Sequence, residues 1–312
     1  MPRIGVLLCL ASATAFGAMG VLGKLAYEEG ATVGTLLATR FLLAAAVLWL
    51  VVLCVGAAEK VRALGRRDAA IAFALGAVVY GSQTGAYFAA LDRMDASLLS
   101  LIVYTYPVIV TVSAIALGRD RTTRRTIGAL LLASTGLVLV LAGSAGALDA
   151  LGATLGLTAA AVYSVYILVS DGVTTRIAPL PLTALVCTGA ATTVTLGALV
   201  AGDLAPGRVT ATGFGWLAAL AVVSTVGAIG LFFAGLRRVG PTAAAILSTL
   251  EPVVTVALAF VVFGESLGAA QLAGGALVLA AVLVIRVPAA RSGDQPRSVD
   301  ATRLQIAAES ST

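Results

Sequence analysis

Ten times along this chain an unbroken run of about twenty apolar residues recurs, at 4–25, 32–55, 69–91, 96–117, 126–147, 150–170, 179–201, 212–236, 241–263 and 267–286. A run of that length, wound as a helix, spans the hydrocarbon core of a bilayer. A membrane barrel would instead alternate apolar and polar residues in segments of about ten, and no such alternation is present. Only 11% of the residues are charged, against about a quarter in soluble domains, so too few polar side chains exist to coat a water-facing surface. Within the cores of the ten runs the formally charged residues are Arg40 and Glu251, with Lys24 at the outer edge of the first. Arg3, the apolar stretch after it and the small residues near "ASATA" imitate a secretion signal. The run continues to Gly23, too long for a signal's apolar region, and is expected to remain as the first span.

Charge between the runs sets an orientation, because basic loops stay on the cytoplasmic side. With the N-terminus inside, sixteen Lys and Arg fall in inside segments, including Lys60, Arg62, Arg66, Arg67, Arg119, Arg121, Arg124, Arg125 and Arg176, and three fall outside, Lys24, Arg93 and Arg208. Both termini are therefore expected in the cytoplasm. The net charge of +5 belongs to topology and gives no case for nucleic acid. The tail from about Pro288 lacks apolar periodicity and is expected to be a mobile cytoplasmic end.

Several chemistries are disfavoured. The chain has no histidine, and Cys9, Cys54 and Cys187 stand singly in apolar runs with no CxxC spacing, so neither a metal site nor a disulfide framework is implied. "GxxxxGK" is absent, which argues against ATP-driven transport by this chain alone. "GSQTG" (81–85) and "GATLG" (152–156) read as close helix packing, not as phosphate loops.

The chain also repeats itself at an offset of 145. "GAYFAALDRMDASLLSLIVYTYPVIV" (85–110) aligns with "GLFFAGLRRVGPTAAAILSTLEPVVT" (230–255), matching Phe88 to Phe233, Arg93 to Arg238 and Pro107 to Pro252, with Asp120 against Glu265. Five runs per copy is an odd number, so the second copy enters the membrane from the opposite side. Such inverted repeats build many secondary transporters, because one site on the pseudo-two-fold can then face either side at similar energy.

Ten short spans in two fives, "RFLLAAAVLWL" opening the second, "YFAALDRMDASLLSLIVYTYPVIV", and "LRRVGPTAAAILSTLEPVVTVALAFVVFGESL" across the ninth and tenth resemble the drug/metabolite transporter superfamily, EamA-type. The resemblance covers the chain to about residue 287. It departs at "GRD" (118–120), where the second copy has "FGE". It implies an all-α integral membrane fold with one repeat over 1–147, a second over 148–287 and a tail over 288–312. It implies transport, and members that carry amino acids, sugars or vitamins leave the substrate open.

Glu251 is the sharpest candidate. A charged carboxylate about ten residues into a span costs at least a few kcal/mol unless it is protonated, paired or facing a wet cavity. Pro252 cannot donate to the carbonyl of Ser248, so the helix is expected to bend there and leave a free carbonyl beside the carboxylate. Glu251 is read as binding a substrate ammonium or a coupling proton; the plain alternative is a neutral side chain gluing two helices. Its repeat mate, Tyr106 in "YTYP", would add an aromatic wall with a polar tip, or only interhelical packing; Tyr104 is expected to point elsewhere. Pro107 and Pro252 are the candidate hinges.

Arg40 has no counterpart in the second copy. A buried guanidinium requires an anion, and Glu28, Glu29, Glu251 and a substrate carboxylate are the candidates; snorkelling is the simpler account. An exposed pair with Glu28, four residues on, explains Lys24, although the resemblance implies a basic residue at this place. The resemblance further implies that Gln83, Tyr87, Tyr163, Tyr166 and Phe232 line a central cavity.

The expectation is a plasma-membrane secondary transporter that exports a small amphipathic metabolite by alternating access. It needs no cofactor and no metal; proton coupling through Glu251 and facilitated diffusion are both compatible with the residues. A channel, a non-transporting sensor and, further off, a membrane-embedded enzyme are the other classes. Its partners would be the substrate and the bilayer; the sequence leaves oligomeric state open.

Overall fold

A computed structural model of the chain describes residues 2–117, 124–142, 149–174, 176–239, 247–248 and 250–286. The regular elements among them are helical: α1 (Pro2–Glu28), α2 (Val33–Cys54), α3 (Ala58–Arg62), α4 (Arg66–Ala74), α5 (Gly81–Leu91), α6 (Ala96–Val103), α7 (Tyr106–Ala116), α8 (Arg124–Ala142), α9 (Ala150–Thr174), α10 (Pro179–Ala201), α11 (Ala211–Ala221), α12 (Ala228–Val239), α13 (Leu250–Phe263) and α14 (Ala269–Arg286). Six stretches are long and apolar enough to cross a membrane, and shorter apolar helices cover 96–110, 127–140, 250–263 and 269–281. Asp120, the end of the fifth expected span, the start of the ninth and the tail 288–312 lie outside the described residues.

The third and eighth expected spans are not plain helices. A π-helical turn, Leu75–Tyr80, joins α4 to α5, and another, Val222–Gly227, joins α11 to α12. Wide turns of this kind are rare and concentrate at functional sites. The extra residue rotates everything after it by roughly 100°, one residue's step in an α-helix. Leu75 and Val222 lie within two residues of the 145 repeat offset.

The expected bend at each proline is a break instead. α6 ends at Val103 and α7 starts at Tyr106, which puts Pro107 in its first turn; α13 starts at Leu250 and takes Pro252 into its first turn. A proline there costs little, because first-turn N–H groups have no intrahelical acceptor. The chain therefore stops and restarts ahead of each proline, where a mid-helix kink would forfeit a hydrogen bond.

α1 runs through the middle, fastened by small polar side chains. Ser12 Oγ donates to the carbonyl of Ala228 at 2.7 Å, Ser224 Oγ to that of Ala15 at 2.6 Å, and Thr255 Oγ1 to that of Gly17 at 2.9 Å. Without a hydrophobic driving force between helices in lipid, such close polar fastenings hold a bundle together. α8 and α14 meet at Gly136 and Gly274, each of which faces the other's main-chain oxygen where a Cβ would sit. Leu36, Phe41, Phe88, Leu91, Leu99, Ile102, Leu217 and Leu220 fill the interior, whereas Leu7, Leu50, Leu53, Leu131, Val138, Val200 and Val261 face outward.

At one end of the bundle the described connections are tied to one another. Asp203 receives the N–H of Gly34 at 2.7 Å through Oδ2, and its carbonyl receives Thr32 Oγ1 at 2.6 Å; Thr210 bonds Glu29, and Arg93 pairs with Asp149 at 3.6 Å. The opposite end carries Lys60, Arg62, Arg66, Arg67 and Arg176, with Arg176 on Asp68 at 3.3 Å.

Candidate functional site

The break before α13 sets Glu251 in that helix's first turn, where unpaired N–H groups and the macrodipole favour negative charge. Its own N–H bonds the carbonyl of Ser248 at 3.1 Å. Glu251 is partly buried, and among the described residues its carboxylate has neither a hydrogen-bond donor nor a cation within ion-pair distance. It lies within electrostatic reach of the hydroxyls of Tyr80, Tyr87 and Tyr163.

Tyr80 and Tyr163 belong to a continuous aromatic chain, whereas Tyr87 meets Phe88 edge-on at 5.1 Å. Phe41 meets Tyr80 edge-on at 5.6 Å, Tyr80 meets Tyr166 at 5.3 Å, and Tyr166 stacks on Tyr163 at 6.1 Å with 8° between the rings. Tyr163 meets Tyr106 edge-on at 4.7 Å, and Tyr106 meets Tyr104 at 5.6 Å. The chain crosses from α2 through the first π turn and α9 to α7. Rings at these spacings and angles attract beyond their buried area, so the wall is stiff, and it carries hydroxyls along its length.

The carbonyl of Ser248, which accepts the Glu251 N–H, takes a second donor. Tyr104 OH donates to the carbonyl of Ser248 at 2.5 Å, so Tyr104 reaches the other half of the chain instead of pointing away. The α1 side is equally close: Gly17 sits against the Glu251 carbonyl and Val254, with no space for a Cβ.

Arg40 is almost fully enclosed, at 1% exposure. Its Nε donates to Thr225 Oγ1 at 2.9 Å, Nη1 to Thr84 Oγ1 at 3.4 Å and Nη2 to Met19 Sδ at 3.3 Å. The rings of Phe41 and Phe88 lie 5.0 and 5.2 Å from its central carbon, and Tyr80 is packed edge-on against Phe41. None of the expected carboxylates pairs with it among the described residues. Aromatic faces attract a desolvated cation by about 2 kcal/mol or more, which offsets much of the cost of burial. Tyr80 ends the first π turn and Thr225 lies in the second, so α2 touches both bulges, the first through Phe41 and the second through Arg40.

Lys24 is far from this cluster in role. Its Nζ lies 2.8 Å from Glu265 Oε1 and 3.5 Å from Asp95 Oδ1, not on Glu28 as the helical spacing anticipated. With Tyr27, Glu28, Asp92 and Phe263 these residues line an open pocket of about 580 Å³ at the loop-rich end.

Models of known families match the chain as the EamA-like transporter family, over residues 3–142 and again over 150–287. The chain belongs to the EamA-like transporter family. An uncharacterized transporter of Archaeoglobus fulgidus is 30% identical over 226 residues, 72% of this chain and 78% of that protein. The uncharacterized transporter YcbK of Bacillus subtilis is 26% identical over 279 residues, 86% of this chain and 88% of that one. One solved crystal structure of a protein superposes with a TM-score of 0.64 over 90% of this chain and 96% of its own, at 17% identity; that likeness concerns the fold alone.

In this EamA-like chain the structure brings Glu251, Tyr106, Tyr87 and Tyr163 to one region and sets Arg40 beside it through Tyr80. Gln83 is buried on α5 and makes no side-chain hydrogen bond among the described residues. Phe232 is partly buried on α12. Pro107 lies in the first turn of α7, and its side chain is outside the described set. Sequence reasoning missed Tyr80, Thr84 and Thr225, which carry no periodic signal. It underrated Tyr104, although a proline that frees a carbonyl calls for a donor from elsewhere.

Proposed function

We propose that this EamA-like protein is a secondary transporter of the plasma membrane that exports a small amphipathic metabolite, such as an amino acid or an amine-bearing compound, by alternating access. Ten membrane helices would form two inverted repeats, 1–147 and 148–287, with both termini and the 288–312 tail cytoplasmic. The basic residues at the end opposite Lys24 support that orientation. No cofactor takes part; a proton, if one is coupled, would ride on Glu251.

The observation that carries the reading is Glu251, a carboxylate in a helix's first turn with no described partner, within electrostatic reach of Tyr80, Tyr87 and Tyr163. A substrate ammonium would supply the missing cation, and its apolar body would lie on the rings. Arg40, with three of its donors on Thr225, Thr84 and Met19, would hold the wall in place. Lys24 would act at the end of the pathway.

The test is growth of cells under toxic amino acids, amines and cationic drugs, with the protein, without it and with Glu251→Gln. Protection by the native chain that Glu251→Gln abolishes supports export with the carboxylate in the cycle. Equal growth of all three strains over the whole panel overturns the export reading.

A further inference from the structure

Outside the tyrosine cluster, a carboxylate just past α13 is held by two elements, α1 and α6. Glu265 follows Gly264, whose φ of 70° turns the chain sharply after α13. Its side chain is 6% exposed. Oε1 receives Lys24 Nζ at 2.8 Å and the N–H of Ala96 at 3.2 Å; Oε2 receives the N–H of Ser97 at 3.0 Å and its hydroxyl at 2.8 Å. One side chain of the second repeat thus neutralises a lysine on α1 and caps α6, both in the first. Charge-assisted hydrogen bonds of this length are the strong ones.

Resting on the transporter reading above, we propose that Lys24, Glu265 and Ser97 form the latch that closes the Lys24 end of the transport pathway.

Three observations support it. The latch joins the halves that must part for that end to open. Asp95, 65% exposed and 3.5 Å from Lys24, offers the ammonium a second carboxylate, so opening transfers the lysine to a wetter partner instead of stranding it. And α13 carries Glu251 in its first turn and Glu265 just past its last, separated by about 20 Å at helical rise, so one rigid helix links site and latch. The asymmetry is in the sequence. At the repeat offset of 145 the mate of Lys24 is Val169, 46% exposed on α9, so closure at the opposite end has no lysine at this place.

Spin labels at Asp92→Cys and Ser266→Cys, with Cys9, Cys54 and Cys187 replaced by serine, report the width of this end by pulsed electron resonance in lipid nanodiscs. The parent should give a dominant short distance. Lys24→Met and Glu265→Gln should each move the short-to-long ratio by roughly tenfold, the effect of losing one charge-assisted hydrogen bond, and the double variant should go no further than either single one. Should the charge variants aggregate, Ser97→Ala removes one donor, keeps the ion pair and should shift the ratio the same way by less. Unchanged distances in monodisperse variants, or additive effects in the double variant, overturn the latch. The growth assay is independent: absence of export with shifting distances would sink the transporter reading and leave the latch, and export with unmoved distances would do the reverse.

Discussion

The hydroxyl of Tyr104 donates to the main-chain carbonyl of Ser248 at 2.5 Å, across 144 residues of sequence. Tyr104 sits in the break before Pro107 and Ser248 in the break before Pro252. Each half therefore interrupts a helix at the same place, and one interruption is tied to the other. Tyr104→Phe keeps the edge-on contact with Tyr106 and deletes the donor. It should cost about 1 kcal/mol, read as a melting temperature lowered by a few degrees in detergent, and leave expression intact.

Arg40 separates shape from charge. A lysine cannot lie flat between Phe41 and Phe88 or reach Thr225 and Thr84 with a planar fork. No described carboxylate pairs with Arg40, so an apolar side chain of similar length would remove a desolvated charge without stranding another. Arg40→Met should therefore yield folded protein, while Arg40→Lys should lower thermal stability by about 2 kcal/mol and reduce the monodisperse fraction in size-exclusion chromatography. The reverse ranking would mean that Arg40 meets an anion.

Glu265 gives a pH signature. Burial pushes its carboxyl up, but the hydrogen bonds from Lys24 and from Ser97, with the lysine's charge, outweigh that and hold it below the usual carboxylate range. A group whose folded pKa is depressed stabilises the fold above its unfolded pKa, near 4.3, and loses that contribution as pH falls through the folded value. The distance across the labelled end should hold constant from about pH 8 to pH 5 and lengthen only below about pH 4. Glu265→Gln should remove that acid-induced change.

Gly17 tests how tightly α1 holds the carboxylate in place. It lies against the Glu251 carbonyl and Val254, so Gly17→Val must push the start of α13 away, an overpacking that typically costs about 1–3 kcal/mol. The expected result is folded but less stable protein that has lost the protection seen with the native chain. Full protection in this variant would argue that Glu251 need not be held where it is.

Much of the frame was legible because the bilayer imposes it. Run lengths marked the apolar helices, six of them long enough to cross a membrane, and a proline in each copy marked where a helix is disturbed, although as a break where a bend was expected. Glu251 stood out because charge inside a span is costly. The rest depends on contacts between distant parts of the chain. Nothing near Lys24 names Glu265, 241 residues away, and Glu28 at helical spacing was the cheaper local guess. Arg40 was expected to pair with an anion or to snorkel; it is enclosed, and two phenylalanine faces, two threonines and a methionine surround it. The π turns have no residue signature, because their extra residue is accommodated by neighbouring helices.

Gly136 and Gly274 bring α8 and α14 together main chain to main chain. Two rods in such contact cannot spread at the seam without losing the fit that both glycines permit, so the seam behaves as a fulcrum. Displacement then grows with the lever arm from that line, and a small tilt of one half against the other becomes a wide excursion at whichever element lies farthest from it.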